Sequence, residues 1–264
     1  MFKYLYITLF ALFGISTIAN AQSDLAHEIG IIAGPITLQS DFGERNNADT
    51  NINNTGIGIG LVHWLNFSAA NSRDRYFPEH FKIRSELSFS RTNLRHFGEW
   101  VERKPNELFA TQLRNMKGTS TLLGIGAQLE YSPFRSIHNF ENSVGGISPY
   151  FSAGFLVSYY SAKLNSKLGD MTLPTVTPGK YLTPSDGRAH GFSNETGIAV
   201  AATAGVGVHY KLTTMSDLMF ETRFQMYSSD WIDGLNPNKQ IYTENKSNDW
   251  QVWFNFGYIY YLEF

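Results

Sequence analysis

The sequence predicts an all-β fold: an eight-stranded antiparallel up-and-down transmembrane β-barrel that follows a cleaved signal peptide. Three observations carry this expectation. Eight segments alternate apolar and polar residues with a period of two. Long polar connections alternate with connections that are shorter on average, as in membrane barrels with long outer loops and short inner turns. Aromatic residues gather toward strand ends, as they do at the two water–lipid interfaces.

The N-terminus reads MFKYLYITLFALFGISTIANAQ. Lys3 supplies a positive charge, Tyr4 to Ile18 form a mostly apolar run, and Ala19-Asn20-Ala21 has the A-x-A form of a cleavage site. Residues 1–21 are therefore expected to be removed, leaving 22–264 as one barrel domain. The chain has no Cys, which excludes both a cysteine-linked lipid anchor and disulfides. With 21 Lys+Arg against 23 Asp+Glu, nothing suggests a nucleic-acid surface. Beyond the signal no apolar run is long enough for a membrane helix; 197–210 is too short and too rich in Gly.

The strands follow in order. HEIGIIAG (27–34) is the weakest. In 56–67, Ile57, Ile59, Leu61, Leu65 and Phe67 oppose Gly56, Gly58 and Gly60. In 81–91, Phe81, Ile83, Leu87 and Phe89 oppose Lys82, Arg84, Glu86, Ser88 and Ser90. In 121–131, Leu123, Ile125, Ala127, Leu129 and Tyr131 oppose Gly124, Gly126, Gln128 and Glu130. In 148–161, Phe151, Ala153, Phe155, Val157 and Tyr159 oppose Ser152, Gly154 and Ser158. Residues 197–212 set Ala202 to Leu212 in steps of two against Thr203, Gly205, Gly207, His209 and Lys211, and 217–227 set Leu218, Phe220, Phe224 and Met226 against Glu221, Arg223 and Gln225. The last strand, 250–264, has Trp250 to Phe264 in steps of two on one face, with Gln251, Trp253, Asn255 and Glu263 on the other.

Alternation alone does not decide which face meets solvent; a lipocalin-like soluble barrel has the same period with the faces exchanged. In the membrane reading Lys82, Arg84, Lys211 and Arg223 share the lumen with Glu86, Glu130, Glu221 and Glu263, four charges of each sign that can pair in a narrow interior. Trp64, Phe67, Tyr131, Phe134, Tyr159, Trp231, Trp250, Tyr258, Tyr260 and Phe264 are the expected girdle residues. An even strand number leaves both termini in the periplasm.

GAQLEYSPF and ISPYFSAGF (126–134 and 147–155) resemble the small outer-membrane β-barrels of Bacteroidetes-type bacteria, among them the PorG-like barrel of the type IX secretion and gliding apparatus. HEIGIIAGPITLQSDFGERN (27–46) with HFGEW (96–100) is similar to a flavobacterial barrel family. The resemblance implies fold, a place in the cell outer membrane and contact with its lipid; it brings no functional residues across. The final strand, with Tyr260, Leu262 and Phe264, resembles the C-terminal signal that such barrels present to the barrel assembly machinery.

Signs of chemistry are sparse, and neither an enzyme nor a cofactor is expected. A dinucleotide G-x-G-x-x-G fails at Leu61, Leu129 and Tyr210. A calcium loop begun at 47–51 fails at Ile52 and Gly58, although Asp41 and Glu44 could join a loose cation site. No histidine has metal-ligand spacing; His63 is expected outward and His209 in the lumen. A rim enzyme acting on lipid or peptide would draw on His96 with Glu99, or His190 with Asp186. Residues 106–116 show helical spacing after Pro105, which predicts either a lid on the barrel mouth or a contact for an envelope partner. The reading that fits best is a scaffold presenting long outer loops, within a secretion or surface-assembly complex.

Overall fold

A computed structural model describes residues 25–262 except 45–46, 69–72, 103–106, 244 and 246. Eight antiparallel strands close into one barrel, each paired with its sequence neighbours and the first with the last. They are β1 (Ala26–Gln39), β2 (Thr55–Asn66), β3 (Phe81–Arg95), β4 (Met116–Tyr131), β5 (Ile147–Ser166), β6 (Thr196–Thr213), β7 (Ser216–Tyr227) and β8 (Trp250–Leu262). Among the described residues no helix is long and apolar enough to cross a membrane.

Burial decides between the two barrel types. Ile198 is 72% exposed and Phe155 67%, whereas Arg84, Lys211, Glu221 and Arg223 are 0% exposed. The apolar residues of every strand that the alternation picked out face outward, and the charges face in. A soluble barrel would reverse this, so the carrier alternative is contradicted. On β3 the outward apolar row runs from Phe81 to Phe89. At about 3.4 Å per residue and a tilt of about 40° it covers about 21 Å along the barrel axis, close to the height of a bilayer-facing band. At the short-turn end, Tyr76 and Phe77 of α1 (Tyr76–His80) stack with Phe81 and Tyr131, and the Tyr76 and Tyr131 hydroxyls meet at 2.7 Å. Such a ring of aromatics marks the interface. The chain is a transmembrane β-barrel of the outer-membrane type, and it resides in the outer membrane.

Several details differ from the sequence reading. β1 extends to Gln39, and its inward face carries Ile32, Ile36 and Leu38, all fully buried. Trp64 points into the lumen and Trp231 is buried under the outer loops, so neither belongs to a girdle. β3, β4 and β5 continue past the bilayer band through residues expected to be loop. Above the band their polarity inverts, because outside lipid the apolar face must turn in. Leu94, Met116, Ala162 and Leu164 point inward there, while Arg95, Lys117 and Lys163 point out. The proposed cleavage residues Ala19 and Ala21, and the terminal Glu263 and Phe264, lie outside the described residues.

Candidate functional site: the sealed lumen and the outer-loop cap

Inside the barrel, strand alternation aims each charged side chain at the axis, and every lumen cation meets a carboxylate. Lys82 Nζ lies 2.6 Å from Glu28 Oε1. Arg84 bridges Glu130 at 2.9 Å and Glu221 at 3.0 Å. Arg223 holds Glu86 through both terminal nitrogens, one of them at 2.9 Å. Lys211 Nζ lies 3.1 Å from Asp217 Oδ1 and sits 3.5 Å over the Tyr261 ring, whose hydroxyl donates to the other Asp217 oxygen at 2.6 Å. Of the expected lumen residues, Lys82, Arg84, Glu86, Glu130, Lys211, Glu221 and Arg223 are thus all placed there, with His209 3.3 Å from Glu130. Two partners, Glu28 and Asp217, escaped the sequence reading. Glu28 lies on the weakest strand, and Asp217, at the start of β7, is cut off from Glu221 and Arg223 in the polar row by the apolar Met219.

Aromatic and aliphatic side chains fill the space between these pairs. Tyr150, Trp64, Trp253 and Ile259 pack in the lumen, and Gly58 and Gly207 leave room for Trp253 and Tyr150. Beside Ser88 and Trp253 only about 10 Å³ of void remains, at most about the space of a single water. Arg84, Glu221, Arg223 and Asn255 are fully buried there, so the described residues leave no wide channel along this part of the lumen.

The long loops fold into a packed cap. Leu38, Leu94 and Leu164 from the strand tops meet Leu113, Tyr181, Ile232 and Leu235 from three loops. Helix α2 (Leu108–Asn115) lies on it as a lid, burying Ala110, Gln112 and Leu113, with Gln112 Nε2 donating to Pro174 O at 2.7 Å. Asp233 accepts from the Asp41 amide at 2.9 Å, and Asp249 accepts from the amides of Ile232 and Asp233 at 3.1 and 3.2 Å. Burial, and then Asp41, push the Asp233 carboxyl well above its usual range; burial, and then Asp233 and Asp230, do the same to Asp249.

Against this cap opens a cavity of about 750 Å³. Trp100, Phe109, Tyr181 and Tyr242 supply rings to it, and Asp41 and Lys180 supply opposite charges. Four loops contribute to it, so no single segment of sequence announces it. The arrangement suits a ligand with an apolar or planar face and polar edges. Its histidine is not placed for acid–base work. His96 is buried in its wall, stacked on Phe42 with ring centroids 4.5 Å apart, and its Nε2 is 3.4 Å from Met116 Sδ. Burial, with Lys180 nearby, lowers its pKa to about 3, so it stays neutral. His190 Nδ1 lies 3.2 Å from the Leu182 carbonyl oxygen, while Asp186 accepts from Trp231 Nε1. Among the described residues no cluster of His, Asp or Glu is placed to hold a metal ion.

No protein-family description matches the sequence, and no curated protein matches it. Solved structures do match in fold. The chain is similar to Ail, the attachment invasion locus protein of Yersinia pestis, with 10% identity over 90% of this chain and 98% of that one, at a TM-score of 0.43. It is similar to Neisserial surface protein A, with 13% identity over 89% and 96% and a TM-score of 0.44. It is also similar to a major outer membrane protein from Thermus thermophilus, with 11% identity over 90% and 100% and a TM-score of 0.45. These are likenesses of barrel architecture, and they leave activity untouched.

Proposed function

We propose that this outer-membrane barrel is a non-enzymatic anchor whose outer-loop cap docks a protein partner of the cell envelope. The observation that carries the reading is the aromatic cavity set in a packed cap above a filled lumen. A filled lumen removes transport as the purpose, and a rigid cap presents Trp100, Phe109 and Tyr242 at low entropic cost to a partner. The sequence likeness to PorG-like barrels suggests a secretion or surface-assembly complex as the setting. Export would follow cleavage after Ala21, and insertion would use the terminal strand with Tyr260, Leu262 and Phe264. Tyr260 is 45% exposed on the outer wall, where a strand-reading machine could meet it.

The test is a photo-crosslinking amino acid placed at Trp100, Phe109 or Tyr242 in the native cell, with Phe155 as the lipid-facing control. The scaffold reading expects one protein adduct shared by the cap positions and absent at Phe155. Absence of any protein adduct from all three cap positions would refute it.

A further inference from the structure

Above the apolar band, the outer wall carries cations on one side only. On β3 the outward residues past Phe89 are Arg91, Asn93 and Arg95; on β4 past Leu123 they are Thr121, Thr119 and Lys117; on β5 past Tyr159 they are Ser161, Lys163 and Asn165, with Lys167 just beyond. No acidic residue stands in these rows. At the same level the other strands present Thr37, Gln39, Thr55, Thr196 and Ser228. Glu195, just before β6, pairs with Arg188 at 3.2 Å. Among the described residues, none of Arg91, Arg95, Lys117, Lys163 and Lys167 pairs with a carboxylate.

The register makes this a built cluster rather than a scatter. Arg95 and Lys117 are direct cross-strand partners. Lys117 pairs with Asn165 and Thr119 with Lys163, so Lys163 sits diagonally beside Lys117. Directly opposed Cβ atoms lie about 5 Å apart and diagonal neighbours about 7–8 Å, and like charges so placed repel. No described residue neutralises them, so the cluster is open to an external anion.

Height identifies the anion. Arg91 is two residues beyond the band edge and Arg95 six, which places them about 5 Å and about 16 Å above the hydrocarbon. A headgroup layer is only about 5–8 Å thick. Arg91 therefore stands at the level of lipid phosphates, and Arg95, Lys117 and Lys163 stand above a diacyl phospholipid. The ligand must carry anionic groups from the hydrocarbon edge well into water. We propose that this belt binds the phosphates of a large-headed anionic glycolipid in the outer leaflet. The site is on the barrel wall and is independent of the cap cavity and its partner.

The full chain would be reconstituted in phosphatidylcholine vesicles containing trace fluorescent lipopolysaccharide or trace fluorescent phosphatidylglycerol, and the lipid retained around the barrel compared. The wild type is expected to enrich lipopolysaccharide over phosphatidylglycerol by about tenfold or more, with the gain falling at high salt. Arg95→Gln/Lys117→Gln/Lys163→Gln should abolish the enrichment, while Arg135→Gln at the periplasmic rim should leave it intact. The unboiled gel shift verifies folding of each variant. If the triple variant does not fold, Lys163→Gln alone should lower the enrichment several-fold. Equal retention of the two lipids by the wild type, or unchanged enrichment in a folded variant, overturns the proposal.

Discussion

Arg84 and Arg223 are fully buried, and each stands between two carboxylates. Such pairs add little net stability compared with an apolar core, but removing one partner strands the other at a cost of about 3–5 kcal/mol. Arg84→Met would leave Glu130 and Glu221 facing each other, and should sharply lower the temperature at which the unboiled gel band is lost. An unchanged transition would show that the pairs are not needed to hold the lumen. The cap has its own titration. The Asp233 carboxyl is raised by burial and then by Asp41 and Asp230, and the Asp249 carboxyl by burial and then by Asp233, Asp230 and Asp41, with Lys239 lying 3.4 Å from Asp230. A raised folded value means that the native cap binds more protons than the unfolded chain. Its contribution is complete below about pH 4, the ordinary carboxyl value, and is lost as pH rises through the raised values. Urea unfolding followed by Trp231 fluorescence should therefore give a higher midpoint at pH 5 than at pH 8, and Asp249→Asn should flatten that difference. A midpoint that rises with pH would contradict this.

The strands differ in how plainly the sequence announces them, and the reason is what each face touches. β3, with hydrocarbon on one side and ion pairs on the other, alternates cleanly and is legible over 81–91. β1 is not, because Ile32, Ile36 and Leu38 give it an apolar lumen face beside an apolar lipid face. The upper parts of β3, β4 and β5 were hidden by inversion: the period of two persists, but the polar face turns out where lipid ends. Helix α2 was legible from its spacing, whereas the cavity it borders was not, since its walls come from four loops that meet only in the folded cap. A strand glycine can leave space for a bulky neighbour, and Gly58 does so. A Cβ there would lie 2.5 Å from Ile36 Cδ1 and 2.6 Å from Trp253 Cζ2. With the lumen full, neither can retreat. Gly58→Val should destabilise the barrel by about 1–3 kcal/mol, seen as a lower gel-shift temperature. A variant as stable as the wild type would mean that Trp253 has room to move.

At the scale of the molecule, a polar but filled interior and a packed cap describe an anchor rather than a pore. In planar bilayers the purified protein should therefore show no steady ion conductance; porin-like currents would contradict the packing beside Ser88 and Trp253. The claim on which the rest stands is that the apolar face meets lipid. The chain contains no Cys, so single cysteines can be placed without a background. We would put one at each position from Leu123 to Leu129 on β4, reconstitute the barrel in bilayers, label each site with a fluorophore, and quench from lipid or from water. The account predicts quenching from lipid at 123, 125, 127 and 129, and quenching from neither phase at 124, 126 and 128. Strong quenching from water at the odd positions would show that the outer wall is not in a membrane, and the account would fail.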